Sequence, residues 1–281
     1  MPIVLIRYSE IGLKSTPVRT RFENQLKGKI ISMLASDHIE ALVKKGNARF
    51  YVESNDTDGA IRSLKKVFGI ASISITEVCG TRMDEICSKA AEYSISRISE
   101  NQSFAVKARR EGTQPYASMD VGREAGSAIY EANKEKNIRV DLSKPDVKIY
   151  IEVRDNKTYI FDSYIQCHAG LPLGSQGNVM AEVNDDRGVL SAWLMMKRGC
   201  KVFIRGNADV SLLKNYDSKL KILNNRPNDP KSILGFVKGT DIDTIRYIDT
   251  SEYDLPIFFP TIGMKDEDVK IYLDKLVAEC E

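Results

Sequence analysis

The chain has 281 residues, of which 42% are hydrophobic and 28% are charged, and its formal net charge is +2. This composition is typical of a globular protein with two or three small domains, and no apolar run approaches the ~20 residues of a membrane span. The N-terminal stretch MPIVLIRYSEIG carries a charge by Arg7 and lacks a small-residue cleavage site. It therefore predicts a first strand rather than a signal peptide, and a cytoplasmic protein.

The first 77 residues predict alternating strands and helices. Thr16 followed by Pro17 predicts a helix start, with threonine at the N-cap and proline at the first helical position. Strands are expected over 2–8, 41–44, 48–53 and 70–78, and the second helix over 56–68. The order strand, helix, strand, strand, helix, strand predicts a ferredoxin-like unit.

Three cations lie at the start of the first helix. Arg19 and Arg21 occupy its first turn, where positive charge opposes the helix dipole, and Lys14 lies just upstream. A helix selected only for stability would carry acids there. Contact with RNA phosphates and a solvated surface explain these cations equally well.

Residues 78–165 predict a second α+β unit. A helix is expected over 82–99, a strand over 104–108, a helix capped by Ser118, and a hairpin of 147–153 with 157–161. Gly122 and Gly126, four residues apart, predict a helix side to which another backbone comes close.

Four further cations in this unit are candidates for RNA contact. Lys107 and Arg109 share one face of the predicted strand, and Arg110 stands at its exit; Arg123 lies on the following helix. Cations in such an arrangement can reach successive phosphates. The alternative is an ion-paired edge with Glu111, Asp120 and Glu124.

The segment 164–177, YIQCHAGLPLGSQG, has no periodicity and predicts a link between domains. Cys167 and His168 lack a convergent partner, so a structural role is favoured over a metal or catalytic one. The chain has five cysteines, an odd number, and no two of them form a Cys-x-x-Cys motif, which argues against zinc and redox sites. Cys280 could be a sulfur carrier, but its place in a terminus expected to fray makes an ordinary thiol the favoured interpretation.

The C-terminal part predicts an abbreviated parallel sheet. Val179–Val183 is a short apolar strand, a helix with buried positions from Val189 to Met196 follows, and Val202–Ile204 begins the next strand. Between strand and helix lies the turn Asn184, Asp185, Asp186, Arg187 and Gly188. Strand-turn-helix units bind phosphate through the free amides of the helix N-terminus, but two carboxylates should repel a nucleotide. Residues 205–230 are expected to be irregular, with later strands over 233–237 and 255–259 and a closing helix over 265–277.

Several short sequence segments resemble those of the ThiI family of tRNA sulfurtransferases, the 4-thiouridine synthetases. They are VLIRYSEIGLKS, KARREG, MDVGRE, LGSQGNV and LMMKRGC, and the resemblance extends over nearly the whole chain. It implies a ferredoxin-like domain (1–77), an RNA-binding THUMP domain (78–165) and a shortened Rossmann-like ATP-pyrophosphatase domain (166–281), hence an α/β protein with an α+β N-terminal half. In that family a Ser-Gly-Gly-x-Asp-Ser loop grips ATP with magnesium, whereas here the loop is NDDRG.

The favoured hypothesis is a tRNA-binding protein of this type without its own ATP-pyrophosphatase activity, with no catalytic residue, metal or cofactor assigned. One alternative is an active ATP- and magnesium-dependent enzyme that makes 4-thiouridine, in a family that also serves thiamine biosynthesis. A second alternative is an adaptor subunit without RNA. The resemblance implies a homodimer, and a partner protein could supply the chemistry.

Overall fold

The computed structural model describes residues 2–223 and 232–280. The described chain divides into two compact units that interleave along the sequence. The first unit comprises residues 1–6, 51–57 and 72–165, and the second comprises 7–50, 58–71 and 166–281. No helix in the described part of the chain is long and apolar enough to cross a bilayer. The three-domain division expected from the sequence stays a prediction.

The helices and strands are numbered in chain order. They are β1 (Ile3–Arg7), α1 (Thr16–Ser36), β2 (Ala41–Gly46), β3 (Arg49–Ser54), α2 (Thr57–Lys65), β4 (Ser72–Cys79), α3 (Met83–Ile95), β5 (Ser103–Glu111), α4 (Ser118–Asn133), β6 (Arg139–Val140), β7 (Val147–Arg154), β8 (Lys157–Phe161), β9 (Ile165–Gln166), β10 (Asn178–Glu182), α5 (Asp186–Lys197), β11 (Lys201–Arg205), α6 (Ser211–Tyr216), β12 (Lys221–Ile222), β13 (Phe236–Lys238), β14 (Ile257–Phe258) and α7 (Asp266–Ala278).

The first unit is built on a sheet with the strand order β3-β1-β4-β8-β7-β5-β6. The hairpin of β7 with β8 is antiparallel, as predicted, and β5 pairs in parallel with β7 from Phe104 to Glu111. Alternation along β7 places Ile149, Ile151 and Val153 on one face, where they form a core with α3 and α4. This packing holds α4 beside β5.

The second unit contains a five-stranded parallel sheet with the order β12-β11-β10-β13-β14. The predicted abbreviated parallel sheet is thereby confirmed. Helix α5 buries Val189, Leu190, Trp193 and Met196 against this sheet, and α7 packs on the same core. Phe68, which follows α2 in the sequence, belongs to that core as well.

The structure corrects several local predictions. The N-cap of α1 is Ser15 rather than Thr16, so the helix begins one residue earlier than expected. Strand β5 continues to Glu111, because β7 pairs along its full length, so Arg109 and Arg110 lie within the strand. Part of the stretch expected to be irregular forms α6 and β12; residues 224–231 of that stretch lie outside the described residues.

Candidate nucleic-acid interface

The first unit carries a groove of about 1060 Å³ along one side of β5, which we call the edge groove. Strand β6 pairs only with Ser103 and Phe104, and β7 occupies the opposite side of β5. Within the described residues, no strand pairs with the outer side of β5 beyond Phe104. The open strand edge and α4 thus form the two walls of the edge groove.

Two glycines make this groove deep on the helix side. A Cβ built on Gly122 would lie 4.0 Å from the Cβ of Ala108, and one on Gly126 would lie 3.9 Å from a methyl of Val106. These are ordinary van der Waals distances to side chains. The prediction that a backbone approaches these glycines closely is therefore wrong. Their missing side chains leave space for a ligand instead.

The cations that line the edge groove differ in whether their side chains have hydrogen-bond or ion-pair partners. Arg109 and Lys148 are exposed, and neither side chain forms a hydrogen bond or ion pair within the described residues. Lys107 donates weakly to the carbonyl of Leu142, at 3.4 Å. Arg123 is 70% exposed but lies between the carboxylates of Asp120 and Glu124, at 3.4 and 3.2 Å. The free cations are the ones best placed to bind phosphate.

Arg110 lines a smaller neighbouring cavity rather than the edge groove. Its guanidinium donates to the carbonyl of Gly112 at 2.6 Å, which shapes the turn after β5. The ion-paired edge, the alternative to RNA contact, forms only in part: Arg123 pairs with Asp120 and Glu124, whereas Glu111 pairs with Arg154.

Apolar and aromatic side chains alternate with these cations. Met119 is 83% exposed and Leu142 is 68% exposed, although both are large and apolar. Tyr150 and Tyr164 meet edge to face, with ring centroids 4.8 Å apart, and both line the groove. Exposed apolar surface beside unpaired cations is typical of a binding site for single-stranded nucleic acid, where bases stack and phosphates meet cations.

The other three predicted RNA contacts lie in the second unit. Lys14 is exposed after a short 3-10 turn (Glu10–Leu13), and its side chain has no partner within the described residues. The guanidinium of Arg21 lies 5.2 Å from the ring of Phe22. Arg19 lies near Glu23, whose pKa falls below its usual value because hydrogen bonds from Lys45 and Tyr8 outweigh the opposing effect of burial.

Two residues of the turn Asn184–Gly188, Asp185 and Arg187, form hydrogen bonds within the chain. Asp185 is the N-cap of α5, and its carboxylate accepts the amide of Gly188 at 2.7 Å. Arg187 is only 8% exposed; it donates to the carbonyls of Thr261 and Met264 at 3.0 and 2.9 Å and to Asp266 at 2.6 Å. The helix N-terminus is therefore capped from within the chain.

A close backbone contact covers the same turn. A Cβ at Gly239 would lie 2.6 Å from the amide nitrogen of Gly188, so only glycine fits there. The segment after β13 consequently lies directly on the start of α5. This is where a strand-turn-helix phosphate site would present its amides.

The carboxyl ends of β10 and β13 carry an ionic network. In doubly wound sheets ligands bind in the crevice where strand order reverses, which here lies between these two strands. Glu182 fills this crevice and binds Lys238 at 3.1 Å, the hydroxyl of Tyr253 at 2.9 Å, and Arg205. Burial opposes ionisation of Glu182, but these hydrogen bonds outweigh burial and hold its pKa below the usual value.

The structural role favoured for Cys167 and His168 stays a prediction, and His168 packs among aromatic side chains. The ring of His168 meets Trp193 edge to face at 5.1 Å, and its Nε2 lies 3.1 Å from the hydroxyl of Tyr216. Burial lowers the pKa of His168 to about 4, so its imidazole is neutral near pH 7. Cys280 is half-buried, with its Sγ 3.7 Å from the Tyr216 hydroxyl, so the described chain remains packed to residue 280 rather than frayed.

Sequence reasoning missed three features of these sites. Lys148 belongs to the edge groove, and the pairing of β5 with β7 brings it there. The contacts of Glu182 with Lys238 and Tyr253, and of Gly239 with Gly188, join residues more than fifty positions apart, so local patterns give no signal for them. Within residues 2–223 and 232–280, no group of three or more His, Cys, Asp or Glu side chains could hold a metal ion.

Comparison with known proteins identifies two domains. Residues 3–74 match the ThiI ferredoxin-like domain, and residues 80–161 match the THUMP domain. Proteins named probable tRNA sulfurtransferase from Methanosarcina acetivorans and Saccharolobus solfataricus are 36% and 33% identical over 204 and 245 residues. These alignments cover 71% and 85% of this chain, but 49% and 64% of those proteins. The chain spans about half the length of the first of these relatives.

Two solved structures share the fold. The crystal structure of PH1313 from Pyrococcus horikoshii has a TM-score of 0.82 and 27% identity, and the match covers 99% of this chain and all of that one. A 4-thiouridine synthetase–RNA complex with bound ATP has a TM-score of 0.79 and 19% identity, covering 100% of this chain and 86% of that one. The resemblance to the ThiI family that the short sequence segments indicated is confirmed. The α/β fold class with its ferredoxin-like and THUMP domains is confirmed as well.

Proposed function

We propose that this chain, which carries the ThiI-type ferredoxin-like domain followed by a THUMP domain, is a cytoplasmic tRNA-binding protein of the tRNA sulfurtransferase type. The observation that carries the proposal is the edge groove of the THUMP-containing unit, with free cations next to exposed apolar and aromatic side chains. The names of the relatives and the RNA bound in one structural neighbour support the same class of partner.

Phosphate contacts explain the cations of this unit better than a solvated surface does. A cation that serves solubility alone can pair with a neighbouring acid, as Arg123 does. Arg109 and Lys148 remain unpaired beside an open strand edge, where a polyanion would release counterions on binding. Lys107 extends this row along β5, Arg110 lies beside the neighbouring cavity, and Lys14, Arg19 and Arg21 offer further contacts in the second unit.

Replacing Arg109 and Arg110 together by alanine is expected to weaken tRNA binding at every RNA sequence and to flatten the dependence of log K on log salt by about 1 per lost phosphate contact. Filter binding of the full chain to unfractionated tRNA over a series of salt concentrations measures both effects. The matched control replaces Lys89 and Lys134, which pair with Glu92 and Glu131 at 3.1 and 3.3 Å. Equal salt slopes for the two double variants would contradict the proposed site.

We further propose that the chain does not adenylate tRNA by itself. ATP and magnesium would need free amides at the start of α5 and space in the sheet crevice. Asp185 already accepts the Gly188 amide, Gly239 covers it, and Glu182 with Lys238 fills the crevice. Since these residues do not fit a nucleotide, the preorganised donors on which phosphoryl chemistry depends are lacking at this place.

Isothermal titration of the purified chain with ATP and magnesium is expected to give no binding with a Kd below about 1 mM, equivalent to −4.1 kcal/mol. The same titration of the variant with Asp185 and Asp186 changed to alanine is the control for a metal-assisted site. Tight, stoichiometric binding that this variant loses would instead establish an active ATP-dependent sulfurtransferase that makes 4-thiouridine. The names of the relatives favour that second candidate.

Without its own adenylation chemistry, the chain would act together with other proteins. A partner could supply the chemistry to the bound tRNA, and the protein could itself pair as a homodimer. Size-exclusion chromatography with light scattering, with and without tRNA, separates a monomer from a dimer. Mapping thiolated uridine in a strain that lacks this protein shows whether tRNA modification depends on it.

A further inference from the structure

The second unit contains a groove of about 640 Å³ at the C-terminal end of α5, next to the last strand of the sheet. We call it the β14 groove. The last turn of α5 forms one wall with Met195, Lys197 and Arg198. Phe258 and Pro260, in and after β14, form the other. The volume lies within the ~300–1,000 Å³ that is usual for small-ligand sites.

The cations of this groove are held in place through their backbone. The carbonyl of Lys197 accepts the amide of Leu171 at 3.0 Å, and the amide of Arg198 donates to Leu194 at 3.1 Å. Gly170 has a φ of 76° and approaches so closely that a Cβ there would lie 2.1 Å from the Lys197 carbonyl oxygen. The backbone beneath both cations is therefore fixed before any ligand arrives.

The charged ends of these two side chains differ in their contacts. The ammonium of Lys197 lies 5.6 Å from the ring of Trp193, and Arg198 is exposed with no side-chain partner within the described residues. Among the described residues that line the groove, Glu10 is the one acid. Two cations against one carboxylate favour an anionic ligand.

An aromatic ring lies beside these cations on an open sheet edge. Strand β14 ends the parallel sheet, and in the described part of the chain no strand pairs with its outer side. Phe258 on this strand is 38% exposed, which leaves part of its ring free. A base can stack on such a ring while its phosphate meets Arg198 and Lys197, which is the general mode of single-strand recognition.

We infer that the β14 groove is a second RNA site that takes an unpaired nucleotide. Phe258 stacks on the base, and Lys197 and Arg198 bind the phosphates on either side. This inference rests on the proposed tRNA binding, and it gives the parallel-sheet half of the chain an RNA-binding role that needs no nucleotide in the sheet crevice. The 3-10 turn that contributes Glu10 leads directly to Lys14, so RNA in this groove can continue onto the predicted cations of α1.

The test compares binding of the full chain to unfractionated tRNA and to oligouridylate of about twenty nucleotides. Changing Lys197 and Arg198 together to alanine should flatten the salt slope for oligouridylate by about 0.7 per lost contact. The control pair Lys270 and Lys275 lies on the exposed side of α7 and removes the same charge. Equal slopes for the two pairs would overturn the inference.

A second set of variants separates stacking from folding. Phe258→Leu keeps the apolar volume but loses the ring, and should bind oligouridylate roughly 5- to 100-fold more weakly, while Phe258→Tyr should bind like the unaltered chain. Normal binding by Phe258→Leu means that the groove serves a protein partner or no partner, and it overturns the inference. If the unaltered chain binds no tRNA, the proposed function fails. If the unaltered chain binds tRNA and the β14-groove variants bind oligouridylate equally well, the second site fails and the proposed function stands.

Discussion

Changing Phe68 to alanine is expected to lower the free energy of unfolding of the second unit by about 3–5 kcal/mol, the usual cost of deleting a buried aromatic ring. Phe68 is 2% exposed. Its ring stacks on Tyr216 with centroids 5.2 Å apart and meets Trp193 edge to face at 5.3 Å. Loss of the ring removes contacts to α5 and α6 and leaves a cavity in this core.

The chain contains one tryptophan, so the fluorescence of Trp193 reports on this core during denaturation in urea. Tyr247→Ala is the matched control, because that ring is 73% exposed and a surface change of this kind alters stability by only about 0.5 kcal/mol. A loss below about 1 kcal/mol for Phe68→Ala would mean that residue 68 does not join this core. The same contacts explain why binding experiments need the full chain: a fragment of residues 1–165 would expose Phe68.

Local patterns predicted the elements well because their signals lie within a few residues. The alternation in β7, the turn at Asp155 and the helical spacing of Val121, Ala125 and Ile129 each specify an element without distant partners. They also predicted the parallel sheet of the second unit, since Val179–Val183 and Val202–Ile204 flank an amphipathic helix. The boundaries moved where a neighbouring strand extended the pairing, as at β5.

The sites depend on contacts that the sequence does not display. Arg187 stands beside two acids in the chain, yet its hydrogen-bond partners lie 74 to 79 residues away, in the segment before α7 and at the first residue of that helix. Its role as a buried clamp follows only from the fold. The two carboxylates of the turn suggested repulsion of a phosphate, whereas Asp185 acts as a helix cap and occupies the amide directly. The charge of the turn and the hydrogen bond at Gly188 both support the proposal that the chain does not bind a nucleotide here. The hydrogen bond also identifies the atoms involved, which the sequence does not.

Changing Gly126 to leucine is expected to stabilise the protein while abolishing most of its tRNA binding. Glycine inside a helix costs roughly 0.8–1 kcal/mol relative to good helix formers, and the 3.9 Å between a Cβ at this position and the Val106 methyl leaves room for the first carbon. The remainder of the leucine side chain must extend into the edge groove, where it takes the space of a base or a phosphate. We expect about 100-fold weaker binding, or roughly 2.8 kcal/mol.

Two glycine variants serve as controls for this prediction. Gly126→Ala adds a single carbon, so it should stabilise the helix by about 0.5–1 kcal/mol and leave most of the groove open. Gly28→Leu lies in α1, where nothing comes within 4 Å of a Cβ, and should gain stability without loss of binding. Thermal unfolding and filter binding measure the two quantities on the same samples. Because instability lowers both values together, a variant that unfolds at higher temperature yet binds tRNA poorly identifies an occluded site, and undiminished binding by Gly126→Leu would place the RNA outside the edge groove.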